Sequence, residues 1–239
     1  MSITTKGNGR VVFGPRNSII TDGLVFYVDP GNPESYVSPS TTTNSLVGDL
    51  TGSLVNGTDF STDNQGVFTF DGVDDRILLN DTLDAPFITQ YWSADVWFNH
   101  TDNNATSYDA ILGNGYPVQL YVQSSKIKSY LSSNASSGTY FLNNMTSTQI
   151  ISTDTWYHLV WVRNGTNFYY YINGVLDKTQ SATGTVANAN VNFNIGNLWD
   201  INNTYTWKGE IGPSRIYNRG LSSGEVLQNY NALKGRFGL

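Results

Sequence analysis

The chain has 239 residues, no cysteine, 13 Lys plus Arg against 19 Asp plus Glu, and a net charge of −6. That balance excludes a basic nucleic-acid-coating protein, and the missing cysteine excludes a disulfide scaffold, a thiolate zinc site and a cysteine nucleophile. An apolar fraction of 39% with 15 Tyr, 11 Phe and 6 Trp is ample for a core, and the preference for aromatics and Asp over Leu and Glu points to a turn-rich β-protein.

Residues 1–21 hold Lys6, Arg10 and Arg16 and no acid, so they carry +3 and leave −9 on the remainder. Gly7, Gly9, Gly14 and Pro15 break regular structure there, and the segment is expected to be an extended basic arm docked on another chain. From residue 22 the pattern is short strands bounded by Gly, Asn, Asp and Ser. In chain order they are Val67 to Phe70, Ile77 to Leu79, Ala94/Val96/Phe98, Val118/Leu120/Val122 and Ile127 to Leu131. Then come Trp156 to Arg163, Phe168 to Ile172 with Val175 beginning its return, Val191/Phe193/Ile195, and Arg215 to Tyr217. Asn114-Gly115, Asn164-Gly165 and Asn173-Gly174 mark hairpins, because type I′ turns need positive φ at both central residues. Trp156 to Arg163 is apolar on both faces, as in a strand covered on each side.

One helix is expected, after the capping box Ser222-Ser223-Gly224-Glu225, with Leu221 and Val226 as its staple. Val226, Leu227, Tyr230 and Leu233 form its apolar stripe, and Lys234 and Arg236 lie beyond its end, where the dipole favours cations. No run reads as a secretory signal or a membrane-spanning helix. The expected fold is therefore all-β: a two-sheet antiparallel jelly-roll sandwich over residues 22–239, one domain, with a short C-terminal helix.

Several motifs carry a family resemblance. Phe70-Asp71-Gly72-Val73-Asp74-Asp75, Trp156-Tyr157-His158, Tyr171-Ile172-Asn173-Gly174 and Arg215-Ile216-Tyr217-Asn218-Arg219 resemble, in order, motifs of laminin-G-like domains with the concanavalin A-like fold. The stretch from Ile216 to Gly238, with Asp22 to Asp29 at the other end, is similar to laminin-G-like virion proteins of tailed bacteriophages. The resemblance implies a particle component such as a head decoration or a fibre part. In one place the chain departs from the family: Gly209-Glu210-Ile211-Gly212-Pro213 stands where many members have Gly-x-Ile-Asp-Glu, a loss of possible calcium ligands.

The chemistry is mostly exclusion. Retaining glycosidases place two carboxylates about 5 Å apart, and the similar enzymes of this fold use a Glu-x-Asp-x-x-Glu strand that is absent here. His158 is expected to be packed and hydrogen-bonded in its strand, and His100 to be on the surface. No cofactor is expected. Calcium is the one metal with a case, at Asp71, Asp74 and Asp75, against the alternative of a plain turn. Trp92, Trp97, Trp199, Trp207 and Tyr91 are either a sugar-stacking platform or core. Trp199 with Asp200, Asn202 and Asn203 is the best candidate for an exposed glycan contact.

The expected function is a non-enzymatic virion structural protein. Lys6, Arg10 and Arg16 would anchor it to capsid or tail proteins, with self-association and without nucleic-acid or membrane partners. The alternative is a lectin-type glycan-binding module, and a glycan-cleaving enzyme comes third.

Overall fold

Alternation along one strand sets the architecture. In Trp156–Asn164, Tyr157, Leu159 and Trp161 face the main core. Val160 and Val162 face the opposite way into a second cluster with Tyr171, Tyr217, Leu221 and Val226. Both faces are covered, as the composition of the strand demands.

The computed structural model describes residues 3–6, 10–13, 18–102, 107–136, 138–199 and 205–239. One sheet runs through Tyr140–Thr146, Lys126–Ser132, Val118–Gln123, Asp109–Gly113, Asn194–Ile195, Arg76–Leu79, Thr51–Val55 and Thr42–Asn44. The other runs through Val175–Ser181, Asn167–Ile172, Trp156–Asn164, Tyr91–His100, Lys208–Tyr217, Val67–Asp71 and Asp59–Ser61, with Leu24–Val28 also paired to Lys208–Tyr217. All pairings are antiparallel. The inner faces of the two sheets share the main core, so the molecule is the expected all-β sandwich. Ile3–Lys6 and Arg10–Phe13 pair as a separate two-stranded hairpin.

The turns follow residue chemistry. Asn173 and Gly174 both take positive φ, as a type I′ hairpin requires. The neighbouring hairpin is offset by one residue: Asn164 pairs with Asn167, so the loop is Gly165-Thr166 and Gly165 carries the positive φ. A single α-turn at Asp84–Phe87, absent from the sequence reading, puts Phe87 into the core.

The C-terminal helix spans Ser223–Leu233, and its capping box is complete: Ser222 Oγ accepts from the Glu225 backbone and Glu225 reaches back. Arg219 also grips Glu225 with two bonds of 2.7 and 3.0 Å, and mainly that contact holds its carboxyl down at about 2. The apolar stripe differs from expectation. Leu227 is 45% exposed, whereas Asn229 is buried in its place. Arg236 bonds Asp29 at 2.8 Å and the carbonyls of Asn64 and Gly66, so its charge is spent on a loop rather than on the helix dipole.

Gly212-Pro213 now has a structural reason. The pairing of Lys208–Tyr217 with Tyr91–His100 shifts register between Ile211 and Ser214. On its other side the strand pairs with Val67–Asp71 before that point and with Leu24–Val28 after it. Proline, which has no N–H, fits that break in the ladder. A Cβ on Gly212 would meet Phe237 Cζ at 3.0 Å and Trp97 Cβ at 3.3 Å, and Phe237 stacks on Trp97 with centroids 4.4 Å apart. The acid of the family pattern would collide with this stack. Gly212→Asp should therefore cost about 1–3 kcal/mol of stability in denaturant titration, as overpacking does, and an unchanged midpoint would contradict that account.

Candidate functional site

In Val118–Gln123, the residues Val118, Leu120 and Val122 point into the main core, leaving Gln119 and Tyr121 on the outer face of the first sheet. Lys126–Ser132 alternates likewise, with Ile127 and Leu131 inside and Lys128 and Tyr130 outside. Register sets Gln119 opposite Tyr130 and Tyr121 opposite Lys128, so the two tyrosines meet on the diagonal, stacked at 5.8 Å. Tyr140 meets Tyr130 edge-on at 4.9 Å, and its hydroxyl accepts from Gln119 Nε2 at 3.1 Å.

On the other side Tyr121 meets Tyr108 at 5.4 Å, Tyr108 meets Tyr205 at 5.1 Å, and Tyr205 meets Trp199 at 4.7 Å. Tyr116 closes the arc against Trp199 at 5.5 Å. Seven rings are thus contiguous. Tyr121 is buried beneath the others, while Tyr108, Tyr116, Tyr130, Tyr140, Trp199 and Tyr205 are each half-buried. Burial raises the hydroxyl pKa of Tyr121, Tyr140 and Tyr205 above the usual phenol value. These three hydroxyls therefore stay protonated at neutral pH, as neutral donors and acceptors.

Trp199 sits in this arc, with its Nε1 lying where a Cβ on Gly115 would fall 3.0 Å away. It is neither fully buried nor free. Asp200, Asn202 and Asn203 lie outside the described residues, as does Arg16 and everything concerning the side chains of Lys6 and Arg10. Trp92, Trp97 and Trp207 are fully buried, so the alternative of core holds for them, and Tyr91 is 53% exposed at the start of a strand in the other sheet. Sequence reasoning had passed over Tyr108, Tyr121, Tyr130 and Tyr140.

His100 corrects an expectation: it is 3% exposed, not a surface residue. The strand Tyr91–His100 carries it inward, where its Nε2 lies 2.8 Å from Asp109 Oδ2 and its ring packs on Trp207 at 5.0 Å. Ser107 Oγ donates to the same carboxylate oxygen at 2.8 Å. His158 is buried as expected, with its Nε2 3.2 Å from Asp95 Oδ1 and its ring against Trp97. Asp95 also takes Arg215 Nη1 at 2.7 Å and Asn229 Nδ2 at 2.8 Å. Burial alone would raise the Asp95 carboxyl, but Arg215 and His158 outweigh it and hold it below the usual range.

The same network clamps the chain leaving the N-terminal segment. Asn229 Oδ1 accepts from Ile20 N at 2.8 Å, and Tyr217 Oη donates to Ile20 O at 3.0 Å. Removing residues 1–17 takes away neither of these bonds. Removing 1–21 should lower stability by about 1–3 kcal/mol, because Asn229 and Tyr217 then lose partners inside a buried network. Equal melting of the two truncations would contradict the clamp.

Asp71, Asp74 and Asp75 bring carboxylate oxygens within 4.8 Å of one another. Asp75 is 3% exposed; its Oδ2 accepts from Asp71 N at 2.8 Å, while its Oδ1 is buried without a hydrogen-bond partner. A hard divalent cation fits that orphaned oxygen, although six to eight oxygens are needed in all. Gly72 O and Asp74 O already accept from Thr206 and Asn56.

Burial, with Asp71 and Asp74 nearby, pushes the Asp75 carboxyl up to about 6. A raised carboxyl favours the folded state while protonated, so this contribution falls as pH rises from about 4 to 6. In chelator, Asp75→Asn should stabilise by about 1–2 kcal/mol at pH 8, discounted for screening, with the gain gone near pH 4. If the cluster takes calcium, added calcium raises the melting temperature of the wild type and not of that variant. A gain over the wild type no larger at pH 8 than at pH 4 would contradict the assignment.

A separate cavity of about 440 Å³ is lined by Val25, Leu50, Leu83, Pro86, Thr89 and Asp81. The Asp81 carboxylate there accepts from Leu83 N at 2.6 Å.

Residues 71–227 match the family model Laminin_G_3, described as the concanavalin A-like lectin/glucanases superfamily. No curated protein sequence matches the chain. Among solved structures, Trypanosoma rangeli sialidase in complex with 2,3-difluoro-KDN is similar at TM-score 0.67 and 13% identity, covering 97% of this chain and 35% of that one. The binding domain of botulinum neurotoxin serotype D is similar at 0.66 and 14%, covering 87% and 50%. Domain 4 of AbnA, an extracellular GH43 arabinanase from Geobacillus stearothermophilus solved with arabinotriose, is similar at 0.57 and 18%, covering 87% and 98%. The chain thus spans about a third of the sialidase and half of the toxin domain, and at these identities the likeness is one of fold. With the sandwich, the ordered motifs and the matched segment in agreement, the chain belongs to the concanavalin A-like lectin/glucanase superfamily, as a laminin-G-like domain.

Proposed function

We propose that this domain binds carbohydrate on the outer face of its first sheet and does no chemistry on it. The carrying observation is the arc of seven contiguous rings from Tyr140 to Tyr116. Half-exposed rings offer apolar faces for stacking, and their hydroxyls, with the Gln119 amide, offer hydrogen bonds at the rim. The structure of AbnA domain 4 with arabinotriose gives a precedent in the same fold.

Among the described residues no pair of glutamates sits as a glycosidase needs. Glu225 caps the helix and Glu210 accepts from Asn99 Nδ2 at 3.1 Å. On a glycan array the intact chain should bind at least one class of sugar and release no reducing ends, and Tyr130→Ala should lose the signal while still folding. An array blank for the intact chain, or turnover of any glycan, would reject the reading.

A second reading remains compatible: display on a bacteriophage particle, with residues 1–21 as the anchor to capsid or tail. Its support is the resemblance of the stretch from Ile216 to Gly238 and the +3 charge of the N-terminal segment against −9 elsewhere. A truncation lacking residues 1–17 should stay folded and fail to join particles, and normal incorporation would reject the anchor. Calcium is proposed only as a structural ion at Asp71, Asp74 and Asp75, separate from the sugar face.

A further inference from the structure

We infer that the tyrosine face takes an uncharged polysaccharide, laid across the strands and contacted over several sugar units. This inference rests on the carbohydrate reading above and adds the class of sugar and its mode of binding.

The reach of the arc supports the mode. Tyr140, Tyr130 and Tyr121 stand on three successive strands, and Tyr108 immediately precedes a fourth. Neighbouring strands lie about 4.8 Å apart, so this part alone spans about 14 Å. Tyr205, Trp199 and Tyr116 extend it further, in steps of 5.1, 4.7 and 5.5 Å. A single sugar ring covers one aromatic ring, so a monosaccharide leaves most of this surface wet.

Charge decides the class. On the strands under the arc the outward polar groups include phenol hydroxyls and the Gln119 and Gln123 amides. Asp109, the carboxylate that follows Tyr108, is buried against His100. Lys126 and Lys128 share the face, but the Lys126 ammonium donates to Thr148 O and the Lys128 ammonium donates to Gln123 Oε1 at 2.9 Å. A carboxylated or sulfated sugar would have to shed the water around its charge onto phenol rings, with two already engaged lysines as the described cations of these strands, and unpaired charge is costly to desolvate. A neutral sugar loses no such hydration, and its hydroxyls match the phenol hydroxyls as hydrogen-bond partners.

The test uses affinity gel electrophoresis of the intact chain. One set of gels holds arabinan, xyloglucan, galactomannan or mixed-linkage glucan. The other holds polygalacturonate, alginate, hyaluronate or polysialic acid. Calorimetry then follows an oligosaccharide length series of the best polymer, with Tyr130→Ala and Tyr140→Ala alongside and melting curves for every protein.

The expected result is retardation by at least one neutral polymer, unaffected by raised salt, and by none of the acidic ones. From disaccharide to tetrasaccharide affinity should rise at least about tenfold, that is, about 1.4 kcal/mol, and Tyr130→Ala should weaken binding about thirtyfold, that is, by about 2 kcal/mol. Tyrosine-dependent binding confined to acidic polymers, or equal affinity for every length, overturns the inference and leaves the carbohydrate reading standing. No binding to either set, or binding indifferent to both variants when both remain folded, overturns the carbohydrate face itself.

Discussion

Replacing Arg215 by methionine should destabilise the domain by about 3–5 kcal/mol, the cost of removing one partner of a buried ion pair. Arg215 and Asp95 are both fully buried and meet at 2.7 Å. The guanidinium also lies 4.9 Å above the Tyr27 ring. With the arginine gone, Asp95 keeps Asn229 and faces His158, but no permanent cation remains in contact with it. Its carboxyl, now held below the usual range, should rise. In the wild type a lowered carboxyl contributes stability at neutral pH that is lost only in acid. In the variant the sign reverses, because a raised carboxyl prefers to fold protonated, so the deficit should be largest at neutral pH and shrink in mild acid. Adding Asp95→Asn to Arg215→Met should recover part of the loss, since the two residues act as one unit. Denaturant unfolding of the wild type and these two variants measures all of this, and a loss under about 1 kcal/mol for Arg215→Met would contradict the account.

On the opposite sheet the effect should fall on binding instead. Tyr130→Ala should weaken glycan affinity by about thirtyfold, the roughly 2 kcal/mol typical of an aromatic contact at the centre of an interface. Tyr130 is central because it touches both Tyr121 and Tyr140. Its side chain is half-exposed on the outer face, whereas Ile127 and Leu131 of the same strand are fully buried on the inner one. The melting temperature should therefore barely move, and a large fall in stability with unchanged affinity would mean that Tyr130 serves packing alone.

The sandwich was legible where one strand obeys period two and is long enough to show it. Trp156–Asn164 is the clear case, since its alternating apolar sets face two different clusters. Tyr140–Thr146 escaped notice for a physical reason. Leu142 and Met145 both point inward although they are three residues apart. Asn144 takes a φ of 54° and the pairing with Lys126–Ser132 shifts register, which erases the alternation. The edge strand Thr42–Asn44 is too short and polar to stand out.

The helix was legible through its cap but not through its stripe. Asn229 occupies a core position because its amide is shared among Asp95, Tyr217 and Ile20, all more than ten residues distant in sequence. The candidate site was half legible. Trp199 stood out as a tryptophan in a polar loop, and it does belong to the aromatic arc. Tyr121 and Tyr130 lie in strands whose inward Val, Leu and Ile residues set the visible pattern, and only sheet register brings their outward rings together. His100 was misjudged because Asp109, its partner, lies nine residues further along on the neighbouring sheet.

Tyrosine nitration mapped residue by residue, with and without the best-binding polysaccharide, tests the proposed face most directly. Tyr108, Tyr130 and Tyr140 should be protected by the sugar. Tyr91, 53% exposed on the other sheet, should be labelled as before. Protection of Tyr91 with Tyr130 and Tyr140 still fully reactive would place the sugar elsewhere and contradict the central claim.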